Sequence, residues 1–202
     1  MTRSLPNPLR PIDWLPGVPL RAGRAHEVCG AGASGFAACL AGRIGSDVLW
    51  ITQGWCAERI NPLGYARFAD PSRLLMVLTK TQDEALAVAE EALRAGAVPL
   101  VVIEVTEPLS LIAGRRLHLA AETGQSTALC LIPEGMGSNA AETRWRCTPV
   151  FAAEDSTRQR WEIIKNKEET LSTWTVYWDE EARSFHLVSP PGERPVPARP
   201  PG

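Results

Sequence analysis

The sequence predicts an α/β fold with a mixed, mainly parallel sheet, flanking helices and an antiparallel extension at the carboxyl-terminal end. Two observations support this prediction. Short apolar runs at residues 48–51, 74–78, 98–105 and 127–132 alternate with segments of helical periodicity, as in a parallel sheet covered on both faces. Aromatic segments at residues 161–164, 174–178 and 185–188 then have the composition of strands joined by short turns.

The helix between the second and third of these strands has the clearest ends. Thr81 and Glu84 form a capping box, and Gly96 supplies the left-handed residue that ends the helix. Its apolar face repeats at helical spacing, at Leu86, Ala89 and Leu93. A strand, helix and strand in this order predict a right-handed parallel crossover. Residues 109–124 predict a second helix of the same kind.

Length and charge limit the class of protein. The 202 residues suffice for one globular domain with a hydrophobic core, and a formal charge of −2 excludes a polybasic protein that coats nucleic acid or anionic lipid. The apolar runs are far shorter than the roughly 20 residues that span a bilayer. We therefore expect a cytoplasmic protein with no membrane partner.

The prolines indicate where the folded domain begins and ends, and the cysteines indicate that the domain contains no disulfide bonds. Prolines cluster in residues 1–20 and 189–202, so we expect a proline-rich amino-terminal segment, a folded domain over residues 21–188 and a solvated tail. The five cysteines contain no C-x-x-C pair, which predicts small buried apolar residues and neither a disulfide framework nor a zinc site. The three histidines have no metal-ligand spacing, so no metal site is expected.

Residues 30–35 have the glycine spacing of a phosphate-binding P-loop and lie between a short apolar stretch and the helical run at 36–44. The small residues of this segment are Gly30, Gly32, Ser34 and Gly35. A working P-loop continues with Lys, which contacts the nucleotide phosphates, and with Ser or Thr, which binds magnesium. Phe36 and Ala37 occupy those positions, so we expect no ATP hydrolysis by this site alone.

Two interpretations of this segment stay open. The glycines could make only a tight turn into a helix whose first turn, with Phe36, packs against the sheet. Alternatively, the loop amides could still bind ATP or another anion weakly, without turnover. Glu104, at the end of a predicted strand, holds a Walker-B-like position, but Ala37 offers no hydroxyl to share a metal ion with it. No resident cofactor is therefore expected.

Several short motifs follow one another along residues 16–188. They are PGVP at 16–19, HEV at 26–28, YAR at 65–67, RAGA at 94–97, LVVI at 100–103 and IIKNK at 163–167. In this order they resemble the core of the bacterial recombinase RecA, and the most specific is IIKNK, which is similar to a V-K-N-K stretch of RecA. The resemblance implies a RecA-like P-loop-type core. It also implies that Lys165, Asn166 and Lys167 are interface candidates, because RecA's two lysines reach a neighbouring subunit's ATP.

Departures from RecA point to one branch of this family. The glycine-rich loops that bind single-stranded DNA are shortened, the N-terminal polymerisation helix is replaced by prolines, and residues 52–54 lack the water-activating glutamate. Small RecA-like proteins of this description resemble the ImuA family, called SulA-like in older usage. That resemblance implies a non-catalytic subunit of an SOS-induced translesion mutagenesis complex. Its implied partners are an ImuB-like Y-family polymerase homologue, an error-prone replicative-type polymerase and RecA, with DNA contacted mainly through them.

Four alternatives remain open. The chain could be an ATPase completed in trans by a RecA-type neighbour, or a SulA-like inhibitor of cell division that binds FtsZ. Lys165 and Lys167 could be a solvated strand edge instead of an interface. Four tryptophans alternate with arginines in the carboxyl-terminal part and could stack on single-stranded DNA, although packing in the core is the better interpretation. These residues are Trp145, Trp161, Trp174 and Trp178, with Arg144, Arg146, Arg158 and Arg160.

Overall fold

The computed structural model of the protein describes residues 20–151, 153, 157–168 and 171–192. Two parts of the chain lie outside the described residues. They are residues 1–19 of the expected proline-rich amino-terminal segment and residues 193–202 of the expected tail. The described chain forms nine strands and four α-helices, with a single 3-10 turn at Pro71–Arg73. In chain order the elements are β1 (Ala25–Cys29), α1 (Ala33–Ile44), β2 (Val48–Gln53), α2 (Pro62–Ala66), β3 (Leu74–Thr79), α3 (Gln82–Ala95), β4 (Leu100–Glu104), α4 (Leu111–Gly124), β5 (Thr127–Leu131), β6 (Thr143–Pro149), β7 (Gln159–Asn166), β8 (Thr173–Asp179) and β9 (Ser184–Gly192).

All nine strands join one sheet, in the order β3-β2-β4-β5-β1-β6-β7-β8-β9. The strands from β3 to β6 in this order pair in parallel. The strands from β6 to β9 pair antiparallel. This arrangement confirms the predicted mixed, mainly parallel sheet with an antiparallel carboxyl-terminal extension. It also places the carboxyl ends of β1, β2, β4 and β5 at one edge of the sheet, which we call the carboxyl edge.

Helices cover both faces of the parallel part. α1 lies on one face, in a core that also contains the four carboxyl-terminal tryptophans, whereas α3 and α4 pack on the opposite face in a second core. Residues 36–42 of α1 are all buried, so the middle of the helix is enclosed on every side, while Ser34 and Arg43 near its ends are exposed. A helix that is apolar all round is typical of the interior of a protein rather than its surface.

The ends of α3 are as predicted. The Thr81 hydroxyl accepts a hydrogen bond from the Glu84 amide at 3.2 Å, and Gly96 adopts the left-handed conformation with φ 61°. The other helix on this face, α4, begins at Leu111 because the Ser110 side chain caps it by accepting from the Ala113 amide at 3.1 Å.

Several elements differ from the sequence prediction. α1 begins at Ala33, three residues before the predicted start at Phe36, and β9 continues to Gly192, beyond the expected domain boundary. The strand β6 and the short helix α2 were not predicted. Within the described residues, no helix combines the length and the apolar character that crossing a membrane requires.

Candidate functional site

A cleft of about 470 Å³ opens at the carboxyl edge of the sheet. Ser34 and Gly35 in the first turn of α1 form one wall, and Glu104 and Thr106 at the end of β4 form another. The chain at residues 58–68, which includes α2, closes the remaining side. Ligands of open α/β sheets bind outside the carboxyl ends of the strands, so this cleft is the best-placed candidate site in the described chain.

The predicted glycine loop is too short to surround a phosphate. Because α1 begins at Ala33, only residues 30–32 connect β1 to the helix. The Gly32 amide donates to the Cys147 carbonyl of β6 at 2.9 Å, and the Ala33 amide donates to the Gly30 carbonyl at 3.0 Å. Two of the amides that would bind an anion are therefore already bonded within the protein.

Side chains from other strands pack against this turn and against the first turn of α1. Gln159 of β7 lies against the first turn of α1, where its Nε2 is 2.6 Å from the position that a Cβ on Gly35 would take. Phe36 is fully buried, and its ring centroid lies 4.7 Å from Trp161 and 5.6 Å from Trp145. Ala37 is also fully buried. Of the two interpretations of the loop, this geometry favours the tight turn into a packed helix.

Glu104 lies in the cleft with both carboxylate oxygens engaged. Its Oε1 accepts from the Trp50 indole nitrogen at 2.7 Å, and its Oε2 accepts from the Thr52 hydroxyl at 2.5 Å. Both donors come from β2, which pairs in parallel with β4 so that Ile51 lies beside Ile103. The two donors hold the carboxylate in one orientation at the carboxyl edge.

The other ionisable side chains of the cleft include Arg59 and Tyr65. The Arg59 guanidinium is folded back on its own loop, where it donates to the Gly54 carbonyl at 2.7 Å. Burial, with a smaller contribution from Asp70, raises the pKa of the Tyr65 phenol to about 12, so the phenol stays protonated near neutral pH. Among the described residues that line the cleft, none is His, Cys or Lys. The described ionisable side chains that line the cleft are Glu58, Arg59, Tyr65 and Glu104.

The three interface candidates lie at the opposite edge of the sheet from the cleft. β6 runs parallel to β1, and β7 runs antiparallel to β6, with Asn166 beside Thr143 at the start of β6. The segment 165–167 therefore lies where β1 and β6 begin, an edge that we call the amino edge. Within one chain, the sheet separates these residues from the glycine turn and Glu104.

Each residue of this segment has a partner in its own chain. The Lys165 ammonium donates to the Ala141 carbonyl, and the Lys167 ammonium lies 3.2 Å from an oxygen of Glu142. The Asn166 side chain accepts from the Glu168 amide at 3.1 Å. Burial, followed by the nearby Arg144 charge, lowers the pKa of Lys165. Lys167 remains half-exposed and accessible to a partner.

The four tryptophans of the carboxyl-terminal part are buried, as the core interpretation predicted. Their exposed fractions are 0% for Trp145 and Trp161, 2% for Trp174 and 4% for Trp178, so none of these rings is available to stack on a base. Three of the alternating arginines pair with acids, namely Arg144 with Glu27 at 2.7 Å, Arg146 with Glu134 at 3.2 Å and Arg160 with Glu162 at 3.2 Å. The alternative in which these tryptophans stack on single-stranded DNA is therefore wrong.

The histidines and cysteines do not form a site. His26 is buried in β1, whereas His118 lies on α4 and His186 on β9. No cluster of His, Cys, Asp or Glu suited to a metal ion is present in the part of the chain that the structure describes. Four cysteines are buried as predicted, and Cys56 alone is half-buried.

Sequence reasoning missed the residues that close the loop and orient Glu104. The partners of Glu104 had a detectable signal, because Thr52 lies two residues after Trp50 and faces the same side once the predicted strand at 48–51 is extended to Gln53, as in β2. Gln159 and Cys147 had none, because they reach the turn from strands far along the chain. Compared with models of known protein families and with curated proteins, the chain has no match.

Proposed function

We propose that this chain is a non-catalytic, RecA-like interaction subunit of an SOS-induced translesion mutagenesis complex of the ImuA type. The observation that carries the non-catalytic part is the closed turn between β1 and α1. Phe36 lies in the core, Gly32 is bonded to β6, and the Gln159 side chain covers the first helical turn. A nucleotide phosphate would have to displace these packed groups to bind as it does in a P-loop.

The position of the elements supports a RecA-like origin. The glycine turn follows a strand and opens a helix, as a P-loop requires. Glu104 ends β4 at the same edge of the sheet, in the cleft that this helix lines. This placement is the one that a P-loop ATPase site would have, with Phe36 and Ala37 in place of the lysine and the hydroxyl residue, and it supports the proposal.

Partner binding is best tested by purifying a tagged copy from DNA-damaged cells of its own source. The proposal expects recovery of an ImuB-like protein, an error-prone polymerase or RecA. Affinity for the recovered partner should then fall at least about tenfold for Lys165→Ala with Lys167→Ala, if the interface contains both charges. Recovery of FtsZ alone would instead support the cell-division inhibitor.

A matched control tests whether the loss of affinity comes from these two lysines or from the loss of any two positive charges. Arg115→Ala with Arg116→Ala also removes two cations and one ion pair, since Arg116 lies 2.5 Å from Glu90. This control should leave the affinity within about twofold. Equal affinities for the two double variants would refute a role for Lys165 and Lys167 in binding, provided that both variants unfold at the same midpoint as the parent chain.

An ATPase completed in trans is the second candidate. One observation favours it, namely that Lys167 is half-exposed at the amino edge, where it could reach a nucleotide held at a neighbour's carboxyl edge. Turnover of radiolabelled ATP should then rise above that of RecA alone when the chain is added, and Lys167→Ala should abolish the increase. Unchanged turnover would reject the ATPase completed in trans and leave the non-catalytic subunit as the proposed function.

A further inference from the structure

A second cavity, of about 350 Å³, lies beside α4 and shares no lining residue with the cleft at the carboxyl edge. Its size is at the lower end of the range for small-molecule sites. No aspartate or glutamate is among the described residues that line it. The apolar part of its lining is Leu111, Leu119 and Ala140, and the polar part is Arg115, His118, Asn139 and Lys167. We call it the α4 cavity.

One wall of the α4 cavity is fixed by a buried ion pair. The segment that follows β5 packs directly on α4, because a Cβ added to Gly114 would lie 2.5 Å from the Ser138 Oγ and 2.9 Å from the Ala140 Cβ. The Ser138 amide donates to Glu27 at 2.7 Å, and the Arg144 guanidinium donates to the same carboxylate at 2.7 Å and to the Ser138 carbonyl at 2.9 Å. Glu27 is 2% exposed. This wall therefore has its shape in the free chain.

Arg115 is the cation of the α4 cavity that the surrounding acids leave unpaired. It is exposed, and among the described residues it has no ion-pair partner, because each neighbouring acid already pairs with another cation. Since Glu142 offsets the charge of Lys167, the charge of Arg115 is the one that remains for a ligand, which favours a singly charged anion. The existing pairs are Glu142 with Lys167 and Arg21, Glu122 with Arg24, Glu168 with Arg21, and Glu90 with Arg94 and Arg116.

His118 brings an unused polar atom to the same cavity. Its Nδ1 is buried and has no hydrogen-bond partner among the described residues, whereas buried polar atoms normally have one. Burial lowers the pKa of His118, followed by the charges of Lys167 and Arg24, while Glu142 and Glu122 act in the opposite direction. The ring is therefore neutral near pH 7 and becomes easier to protonate if an anion binds beside it.

The apolar side chains lie next to the unpaired cation. Leu111, Arg115 and Leu119 are spaced four residues apart on α4, so they follow one another along one face of the helix. Leu111 is 47% exposed and Leu119 is 61% exposed. A guanidinium binds a carboxylate through two parallel hydrogen bonds, which fixes the orientation of the bound acid. A carboxylate at Arg115 would therefore direct the group that it carries onto one of these leucines.

We propose that the α4 cavity binds a small organic acid, with its carboxylate between Arg115 and Lys167 and its apolar part against Leu111 and Leu119. Arg115 supplies the charge, and the exposed Asn139 amide lies at the same cavity as a further hydrogen-bond donor. The wall that carries Ala140 limits the size of the apolar part. This inference does not depend on the complex proposed above.

The test uses the full chain, isotopically labelled for nuclear magnetic resonance, and three probes. Phenylacetate carries both a carboxylate and an apolar ring, phenylacetamide replaces the carboxylate by a neutral amide of the same shape, and acetate lacks the ring. Phenylacetate should bind at least about tenfold more tightly than the other two probes. Its binding should shift the amide resonances of residues 115–119 and 139–140, and not those of residues 34–35 in the cleft.

Single substitutions separate the charge from the apolar contact. Arg115→Gln should reduce the affinity for phenylacetate to that for phenylacetamide, whereas the control Arg116→Gln, at the next residue of α4, should leave both affinities unchanged. Leu119→Ser should weaken both probes that carry a ring. Its control is Ile112→Ser, at a residue of α4 that is 73% exposed and does not line the cavity, and this variant should weaken neither.

The protonation of His118 gives an independent readout. Phenylacetate should raise the pKa of His118, because a nearby anion favours the protonated ring, and phenylacetamide should leave it unchanged. The His118 ring resonance, followed from about pH 5 to about pH 8 with and without each probe, measures this change. An unchanged pKa at saturating phenylacetate would place the acid away from the cavity.

Two further results would overturn the proposal. The first is no saturation by phenylacetate below about 20 mM. The second is an unchanged preference for phenylacetate over phenylacetamide in an Arg115→Gln variant that unfolds at the parent midpoint. The Arg115→Ala with Arg116→Ala variant, which serves above as a control for partner binding, should lose the preference for the acid and keep its affinity for the partner. The two proposals can therefore fail separately.

Discussion

At the residue scale, Gly30 is required by the close approach of two backbone segments. It has φ 91°, and a Cβ at this position would lie 2.5 Å from the Cys147 carbonyl oxygen. No side chain fits such a gap. The turn from β1 to α1 can therefore lie against β6 only because this residue has no side chain.

Gly30→Ala is expected to destabilise the protein by about 3 kcal/mol, from backbone strain together with the clash. Gly135→Ala is the matched control, because Gly135 has a similar φ of 82° but nothing within 4 Å of an added Cβ. Its cost should be only the strain, about 1 kcal/mol. Urea unfolding measures both values, and equal costs would show that the contact with Cys147 is unimportant.

His26 is held neutral by its burial. Its Nε2 lies 2.9 Å from the Arg21 carbonyl and must donate, while its Nδ1 lies 2.7 Å from the Thr143 hydroxyl. Because the neutral ring carries its single hydrogen on Nε2, Nδ1 accepts from this hydroxyl, which in turn accepts from the Trp145 indole at 2.8 Å. Burial lowers the pKa of His26 to about 4, although the Arg21 carbonyl and Glu142 act in the opposite direction.

This shift predicts a loss of stability in mild acid. In the unfolded chain His26 binds a proton near the ordinary histidine pKa of 6.5, whereas the folded chain binds it only near pH 4. Stability is therefore greatest above pH 6.5 and falls as the pH drops toward 4, by up to about 3 kcal/mol. Paired carboxylates act in the same direction, so the comparison is with His26→Gln, whose free energy of unfolding should decline less between pH 7 and pH 4.5. Parallel declines would contradict the prediction.

At the scale of elements, the strands with continuous apolar runs were predicted, whereas β6 was missed. β6 alternates polar and apolar residues, with Arg144 and Arg146 on one face and Trp145 and Cys147 in the core. That period of two is typical of a half-buried strand, but the same alternation of arginine and tryptophan also suggested DNA stacking. Only pairing with β1 and β7, which depends on distant parts of the chain, decides between the two.

The helices α1 and α2 each contain a glycine, and we expect replacement by alanine to affect stability in opposite directions at the two positions. Replacing glycine by alanine inside a helix usually stabilises it by about 1 kcal/mol. At Gly42 in α1, however, a Cβ would lie 2.0 Å from the Phe68 carbonyl oxygen, so Gly42→Ala should destabilise the protein by at least about 2 kcal/mol.

Gly64 in α2 is the matched control, because the nearest atom to an added Cβ is 3.9 Å away. Gly64→Ala should be neutral or stabilising. Thermal unfolding of both variants measures the difference, and a stabilising Gly42→Ala would show that α1 does not pack against the segment after α2 as described.

At the scale of the whole molecule, the parallel part and the antiparallel extension share one core. Phe36 of α1 contacts Trp145 and Trp161, and Trp161 in turn lies 4.5 Å from Phe185 of β9 by ring centroids. The extension therefore completes the cover of α1 instead of forming a separate unit.

The shared core predicts one cooperative unfolding transition. Fluorescence from Trp50, in the parallel part, and from Trp161, in the extension, should report the same urea midpoint when each is kept with the other core tryptophans replaced by Phe. The far-UV circular dichroism should give that midpoint as well. Two separate midpoints would show that β7 to β9 unfold independently.

The sequence supported the fold better than the site, for a physical reason. Hydrophobic periodicity and helix caps are local, so α3 with Thr81 and Gly96 could be placed within a residue or two. The residues that decide what the glycine turn can do, Cys147 and Gln159, approach it through the register of β6 and β7. Register is set by the assembled core and not by neighbouring residues.

The burial of residues 36–42 of α1 has a mechanical consequence. These residues are enclosed by the sheet and the aromatic side chains of the extension, and packed interiors do not deform gradually. A shift of this helix would therefore have to move the aromatic rings of the extension with it, which couples the parallel part of the sheet to the antiparallel part.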